Sequence, residues 1–485
     1  MTARAESKSA IERLFCGPLG GLLLRPWYDR LALAAIAGHF CPLSRAWAAA
    51  LQAQGEVEAF LDAFPPDTPW RARGARLAPW RARGARLAPW PRAGIARALA
   101  RIEARRLAFD RAEGEWHQAF FGAGSGADDL AAIERRRLAS AHALMAARGA
   151  FFALNRRRRF PAVAWAIAPE AAVEARHGSR LGDLDRAYPA PAPALAPAMV
   201  ESRAAAIGEE DTLWLRFASP APAGAGAGDG ADTAWARVIC GRGRKPRATV
   251  IFAHGIAMET DHWRGLSALP RALAQADIAL IRPEGPGHGR RRAPGRYGGE
   301  AVLAEGVAGL IDYMHAHVVE LGLLVAWARA RFGGPVAIGG VSLGALTAQV
   351  AACAASHWPA EMRPDALLLV ATTGALDGAA LDGSLARRLG TPEALAAHGW
   401  TPAKVGRFLP LVEPQGPPAC GPDNTVMLLG GADDVTPFAG GMALARRWGV
   451  AGDNLAIRRQ GHFTVSLGLY CADGPWRRLA EILLA

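Results

Sequence analysis

Short apolar runs, each closed by a glycine-rich or polar loop, recur at residues 248–253, 278–281, 335–339, 366–370 and 425–429, with a more polar run at 455–459. Unbroken runs of this length fit strands buried on both faces. Between them, residues 301–332 and 345–355 carry apolar positions at spacings of three and four, which is helical periodicity. Strand and helix in alternation predict a mostly parallel sheet with helices on both faces. Residues 212–217 and 233–239 alternate like strands on either side of the Gly/Ala-rich stretch 221–230, so an antiparallel hairpin is expected to open the sheet.

Residues 31–51, 95–107 and 130–154 read as Ala-rich helices. The last leads into Arg156-Arg157-Arg158-Arg159, four cations suited to a helix end facing solvent. A Pro/Ala tract at 189–193 then breaks the pattern. The expected organisation is a helical accessory region over 1–188, a linker over 189–200 and an α/β domain over 201–485. At 485 residues, with 51% apolar side chains, the chain is long enough for both and can bury its core without disulfides.

Charge changes the picture only at the N-terminal end. Residues 1–160 hold 26 Lys+Arg against 14 Asp+Glu, which accounts for the whole net charge of +12; the remainder balances at 30 against 30. Weak contact with an anionic surface would therefore involve the basic N-terminal region. The decamer beginning Pro69-Trp70-Arg71 recurs unchanged from Pro79. Trp interleaved with Arg can stack on bases, but two perfect copies fit a duplicated surface loop better, and nucleic acid is not the expected partner.

The six cysteines, Cys16, Cys41, Cys240, Cys353, Cys420 and Cys471, are scattered and form no ligand cluster. They read as reduced thiols of a cytoplasmic protein. No apolar run nears the ~20 residues needed to span a bilayer, the best being residues 31–38.

Chemistry is concentrated at the ends of the apolar runs. Gly340-Val341-Ser342-Leu343-Gly344 stands between a strand and a helix, the context of a nucleophile elbow. Asp433 follows the run at 425–429, and His462 follows the run at 455–459. The order Ser, Asp, His matches that of a hydrolase triad. His254-Gly255 ends the run at 248–253, and Gly285-Pro286-Gly287-His288-Gly289 follows the run at 278–281.

With these motifs the C-terminal three-fifths of the chain resembles the α/β-hydrolase superfamily, and the stretch 286–300, with Gly289-Arg290-Arg291-Arg292 and Gly298-Gly299-Glu300, is similar to a less studied abhydrolase branch. The resemblance implies an α/β-hydrolase fold with a small lid at 375–422 and a serine hydrolase acting on a small-molecule ester, thioester or related acyl bond. It implies Ser342 as nucleophile, His462 as base and Asp433 as its carboxylate, with the backbone N–H groups of Leu343 and Ile256 as the oxyanion hole. Supporting loop positions are His254, Gly255, Gly340 and Gly344, and no metal or organic cofactor is required.

Asp434 and Asp377 are the competing carboxylates. His254 and His288 fit loop-shaping roles, and Asp261-His262-Trp263 could face the pocket but lacks the partners of a metal site. An acyltransferase would use the same triad, and a non-catalytic scaffold would keep the hydrolase core as a frame while its basic N-terminal helices bind an anionic partner. No triad residue lies before residue 190, so the N-terminal region is expected to be dispensable for the chemical step.

Overall fold

The computed structural model describes residues 14–17, 20–64, 92–122, 129–158, 160–192, 197–221, 232–258 and 269–485. The duplicated decamer, the Asp261-His262-Trp263 triplet and nearly all of the 221–230 stretch lie outside the described residues.

The parallel strands are β5 (Ala248–Ala253), β6 (Ile278–Pro283), β7 (Val336–Val341), β8 (Ala366–Val370), β9 (Thr425–Gly430) and β10 (Leu455–Arg458). Preceding them are β1 (Val200–Glu201), β2 (Ala205–Ile207), β3 (Glu210–Ala218) and β4 (Thr233–Gly241), which pair antiparallel. The order across the sheet is β1-β3-β4-β6-β5-β7-β8-β9-β10, with β2 beside β3. The expected hairpin is the β3/β4 pair, in register from Glu210 opposite Gly241 to Ala218 opposite Thr233. β5, β8 and β9 are buried at every position, which is why they read as unbroken apolar runs.

The order contains a topological switch. From β5 the chain crosses to β6 on one side, then returns to β7 on the other. The loops leaving the carboxyl ends of β5 and β7 therefore diverge from neighbouring strands and open a crevice between them.

On one face of the sheet pack Val307–Phe332 and Leu343–Ala354; the other holds Leu273, Trp476, Leu479 and Leu483. The region 301–332 is a helix pair, Glu300–Ala304 and then Val307–Phe332, separated at Gly306. The second of these, rather than 31–38, is the longest apolar helix among the described residues. Among the described residues it alone has the length and composition to cross a membrane, and its apolar window is 78% buried within the fold.

The N-terminal region is helical as expected. Helix α1 is Pro26–Ala35, α2 Cys41–Ala53, α3 Arg92–Phe121 and α4 Leu130–Ala146. A π-helical turn, Ile36–Phe40, separates α1 from α2, where Pro42 cannot donate into a regular ladder.

This region shares its core with the sheet domain. Trp47, Phe60, Phe151 and Phe160 cluster with Tyr297, Ala304 and Leu389. Glu300, fully buried, faces the Arg45 guanidinium at 3.4 Å and accepts from the N–H groups of Ala164 and Tyr297. Arg290 lies over the rings of Trp116, Trp214 and Trp235 while paired with Glu113 and Glu284. Desolvated cation–π contacts of this kind contribute up to about 2 kcal/mol each. Arg291 pairs with buried Glu320 at 2.7 Å. These two arginines of the 289–292 run are thus internal ties rather than free anion sites.

The thiol expectation is corrected in one place. Cys16 and Cys471 form a disulfide that joins the beginning of the described chain to its end. Sequence spacing hid this pair because its members are 455 positions apart. Thiol content therefore no longer argues for a reducing compartment. Cys41, Cys240, Cys353 and Cys420 are free, and burial pushes their thiols up to about 11, 11, 12 and 11. Titration of the protein denatured without reductant should therefore find four thiols, not six.

Candidate active site

Ser342 sits at φ +55° and ψ −120° between β7 and the helix α5 (Leu343–Ala354). That strained backbone holds its side chain out from the turn, into the crevice at the switch point. A Cβ on Gly340 would lie 2.4 Å from the Gly344 carbonyl carbon, and one on Gly344 would lie 2.3 Å from the Ala253 carbonyl oxygen. Both contacts are impossible for a side chain, so the two glycines allow the elbow to press against β5.

His462 opens a helix, α6 (His462–Cys471), and is buried. The Ser342 hydroxyl donates to His462 Nε2 at 2.9 Å, and His462 Nδ1–H donates to Asp433 Oδ2 at 2.8 Å. Asp433 Oδ1 accepts the N–H groups of Val435 and Thr436 at 3.0 and 2.9 Å. The Thr436 hydroxyl stands 2.9 Å from Asp433 Oδ2 and 3.2 Å from His462 Nδ1. Each carboxylate oxygen is thus held before it meets the imidazole. Burial alone would lower the His462 pKa, but Asp433, and to a lesser extent Asp29 and Asp434, raise it above the usual 6.5.

The competing carboxylates are elsewhere. Asp434 is exposed and accepts from the Ser384 hydroxyl at 2.7 Å, anchoring the helix Ser384–Leu389. Asp377 is exposed, and its carboxylate accepts the Gly378 N–H.

Ile256 follows a loop that runs beside the elbow, where a Cβ on Gly255 would come within 3.4 Å of Ser342 Cβ. Leu343 is the first residue of α5, whose leading N–H groups have no helical acceptor. His254 and His288 shape this loop. His254 Nδ1–H donates to the Gly255 carbonyl and its Nε2 accepts from Gly285 N–H; His288 Nδ1–H donates to the Pro286 carbonyl and its Nε2 accepts from Ala257 N–H. Burial pushes His254 down to about 4 and His288 well below its usual range. Both are fixed as neutral imidazoles.

A residue absent from the sequence reading also reaches the site. Asp29 of α1 is buried against the backbone that carries His462, accepting the N–H groups of Gly461, Phe463 and Thr464. The N-terminal region is therefore not separable from the site in the way its lack of triad residues suggests. No local motif signals this contact, because Asp29 lies 432 positions before Gly461. Thr436 had a weak signal, a hydroxyl three residues after an aspartate.

Ser342 opens into a cavity of about 180 Å³. Its walls come from the helix Val307–Phe332, from α5 and from the helices of 375–422, with Leu310, Leu346, Leu395, Phe408 and Val412 prominent. Among the described residues no charged side chain lines it. No group of His, Cys, Asp and Glu among the described residues could hold a metal ion.

Strand order, switch point, elbow and the Ser, Asp, His succession define the α/β-hydrolase fold. No family model matches the chain, and no curated protein matches it. Solved structures similar to it include an acetyl xylan esterase from Thermoanaerobacterium, 13% identical with a TM-score of 0.41 over 62% of this chain and 95% of that one. A cold-adapted esterase from an Arctic intertidal metagenomic library is 16% identical, with a TM-score of 0.37 over 58% of this chain and 97% of that one. An S-formylglutathione hydrolase from Agrobacterium tumefaciens is 13% identical, with a TM-score of 0.36 over 58% and 98%. Likeness at this level carries no argument about activity, which rests on the geometry above.

Asp433→Asn keeps the shape of the loop but favours the wrong histidine tautomer, so kcat should fall on the order of 10⁴-fold. Asp434→Asn and Asp377→Asn should each cost far less. Side-by-side kinetics of the three variants check the assignment, and a larger loss in either of the last two would overturn it.

Proposed function

We propose that the protein is a serine hydrolase that cleaves an ester, thioester or related acyl bond of a substrate with an apolar acyl chain. The observation that carries this reading is the unbroken hydrogen-bonded series Ser342, His462, Asp433, ending in an apolar cavity.

In the first half-reaction His462 Nε2 takes the Ser342 proton as Oγ attacks the acyl carbon. The charge that develops on the substrate oxygen is met by N–H groups of Leu343 and Ile256. His462 then returns the proton to the leaving group, and the acyl chain remains on Ser342. Water, activated by the same imidazole, completes the cycle. Asp433 holds Nδ1–H throughout and stabilises the imidazolium. A scaffold with no catalysis would have no need of this aligned series.

Cavity size and lining bear on the substrate. An apolar cavity of about 150 Å³ takes benzene, so 180 Å³ suits a chain of roughly six to eight carbons. Among the described residues the wall carries no charge, which disfavours charged acyl groups, because a buried ion would lack a partner there. The helices of 375–422, lying across this cavity, would act as the lid that admits the chain.

Ser342→Ala should lose about 10⁶ in kcat while keeping its fold, since an elbow serine tolerates a smaller side chain. Unchanged turnover on every ester cleaved by the wild type would refute the assignment. The base must be neutral to accept a proton, so kcat/KM should fall as pH drops through a pKa above 6.5. Across p-nitrophenyl esters, kcat/KM should peak at roughly six to eight acyl carbons; a monotonic preference for acetate would contradict the cavity argument.

A further inference from the structure

Helix α6 begins at the candidate base, and its cap position is Gly461, which has no side chain to offer the first N–H groups. The missing acceptor comes from α1. Asp29 Oδ1 accepts Phe463 N–H at 2.7 Å and Thr464 N–H at 3.0 Å; Oδ2 accepts Gly461 N–H at 3.2 Å and the Thr464 hydroxyl at 2.5 Å. The donors flank His462 on both sides. A Cβ on Gly461 would stand 2.5 Å from Asp29 Cγ, so the glycine that leaves the helix uncapped is also what admits the carboxylate.

Core building does not account for this contact. Of the ten residues of α1, only Asp29 and Leu33 are buried. A surface helix normally buries an apolar stripe, whereas this one inserts a carboxylate. The same N-terminal segment holds α6 a second time, because Cys16 is bonded to Cys471 at its last turn. Both ends of the helix that carries His462 are thus tied to residues 16–35.

We propose that Asp29 is a positioning residue for the reaction, fixing the backbone of His462 so that Nε2 meets the Ser342 hydroxyl. This rests on the reading of Ser342, His462 and Asp433 as the catalytic triad. Misplacement of a catalytic group by about 1 Å can cost on the order of 10² in rate, and Asp29 holds the backbone N–H groups on either side of His462. Its charge adds a second effect. The charged groups bearing on His462 are Asp433 and Asp434 from the loop after β9 and Asp29 from α1, with no acidic residue in the first turn of α6 itself. All three favour the imidazolium. Removing the Asp29 charge therefore lowers the pKa of the base and moves the acid limb of activity to lower pH.

The test uses the full chain and four variants: Asp29→Asn, Asp29→Ala, Gly461→Ser, and the double variant Asp29→Ala with Gly461→Ser. Asp29→Asn and Asp29→Ala should lower kcat by up to about 100-fold, the cost of misplacing a catalytic group by about 1 Å, with KM changed less than about twofold. Asp29→Asn should also move the acid limb of kcat/KM downward. Gly461→Ser should lose activity by displacing Asp29, and the double variant should recover part of it, because a serine at the cap supplies an acceptor. Asp29→Asn is nearly isosteric and decides the matter if Asp29→Ala fails to fold. The proposal is overturned if Asp29→Asn keeps wild-type kcat and an unshifted acid limb while Ser342→Ala is inactive. Activity retained in Ser342→Ala would instead overturn the triad reading, and the role of Asp29 with it.

Discussion

The site depends on one steric constraint: three backbone segments meet within the space of a methyl group. β7 at Gly340, the start of α5 at Gly344 and the end of β5 at Ala253 leave no room for a side chain at either glycine. Strand order makes this meeting necessary, since β5 and β7 are neighbours whose following loops part in opposite directions. Because the elbow cannot relax toward β5, Ser342 is held at positive φ and faces His462. The neutral imidazoles of His254 and His288 brace the loop on the other side of the crevice.

Around Ser342 the side chains of Asp433 and His462 are held by different means. Asp433 is anchored locally, by the N–H groups of Val435 and Thr436 and the Thr436 hydroxyl. His462 is anchored remotely, at the first turn of a helix capped by Asp29. The N-terminal helices therefore do more than cover apolar surface. They share a core with the sheet domain, and they carry both Glu113, paired with Arg290, and the carboxylate behind His462.

What the sequence revealed follows the range of the interactions. β5 and β8 match their apolar runs residue for residue, because strands buried on both faces leave an unbroken pattern. Ser342 and Asp433 drew notice because each lies just past such a run, and His462 because it follows the more polar run at 455–459; the structure brings the three side chains within hydrogen-bond reach. The choice of Asp433 over Asp434 and Asp377 came from its place in the loop, and it agrees with the hydrogen bonds of all three. Contacts between distant segments left no trace. Neither the Cys16–Cys471 bond nor the reach of Asp29 to Gly461 has any local signature, so the cysteines looked alike and the N-terminal region looked detachable. The π turn at Ile36–Phe40 was also hidden, since it leaves the apolar spacing of 31–51 nearly intact.

The central claim is that Ser342 is a nucleophile activated by His462. The most direct measurement is covalent labelling of the native protein with a fluorophosphonate, read by intact mass and by mapping of the modified peptide. The account predicts one adduct per chain, located on Ser342, formed more slowly as pH falls through the pKa of His462 and absent from Ser342→Ala. A chain that stays unlabelled, or an adduct on another residue, would contradict it.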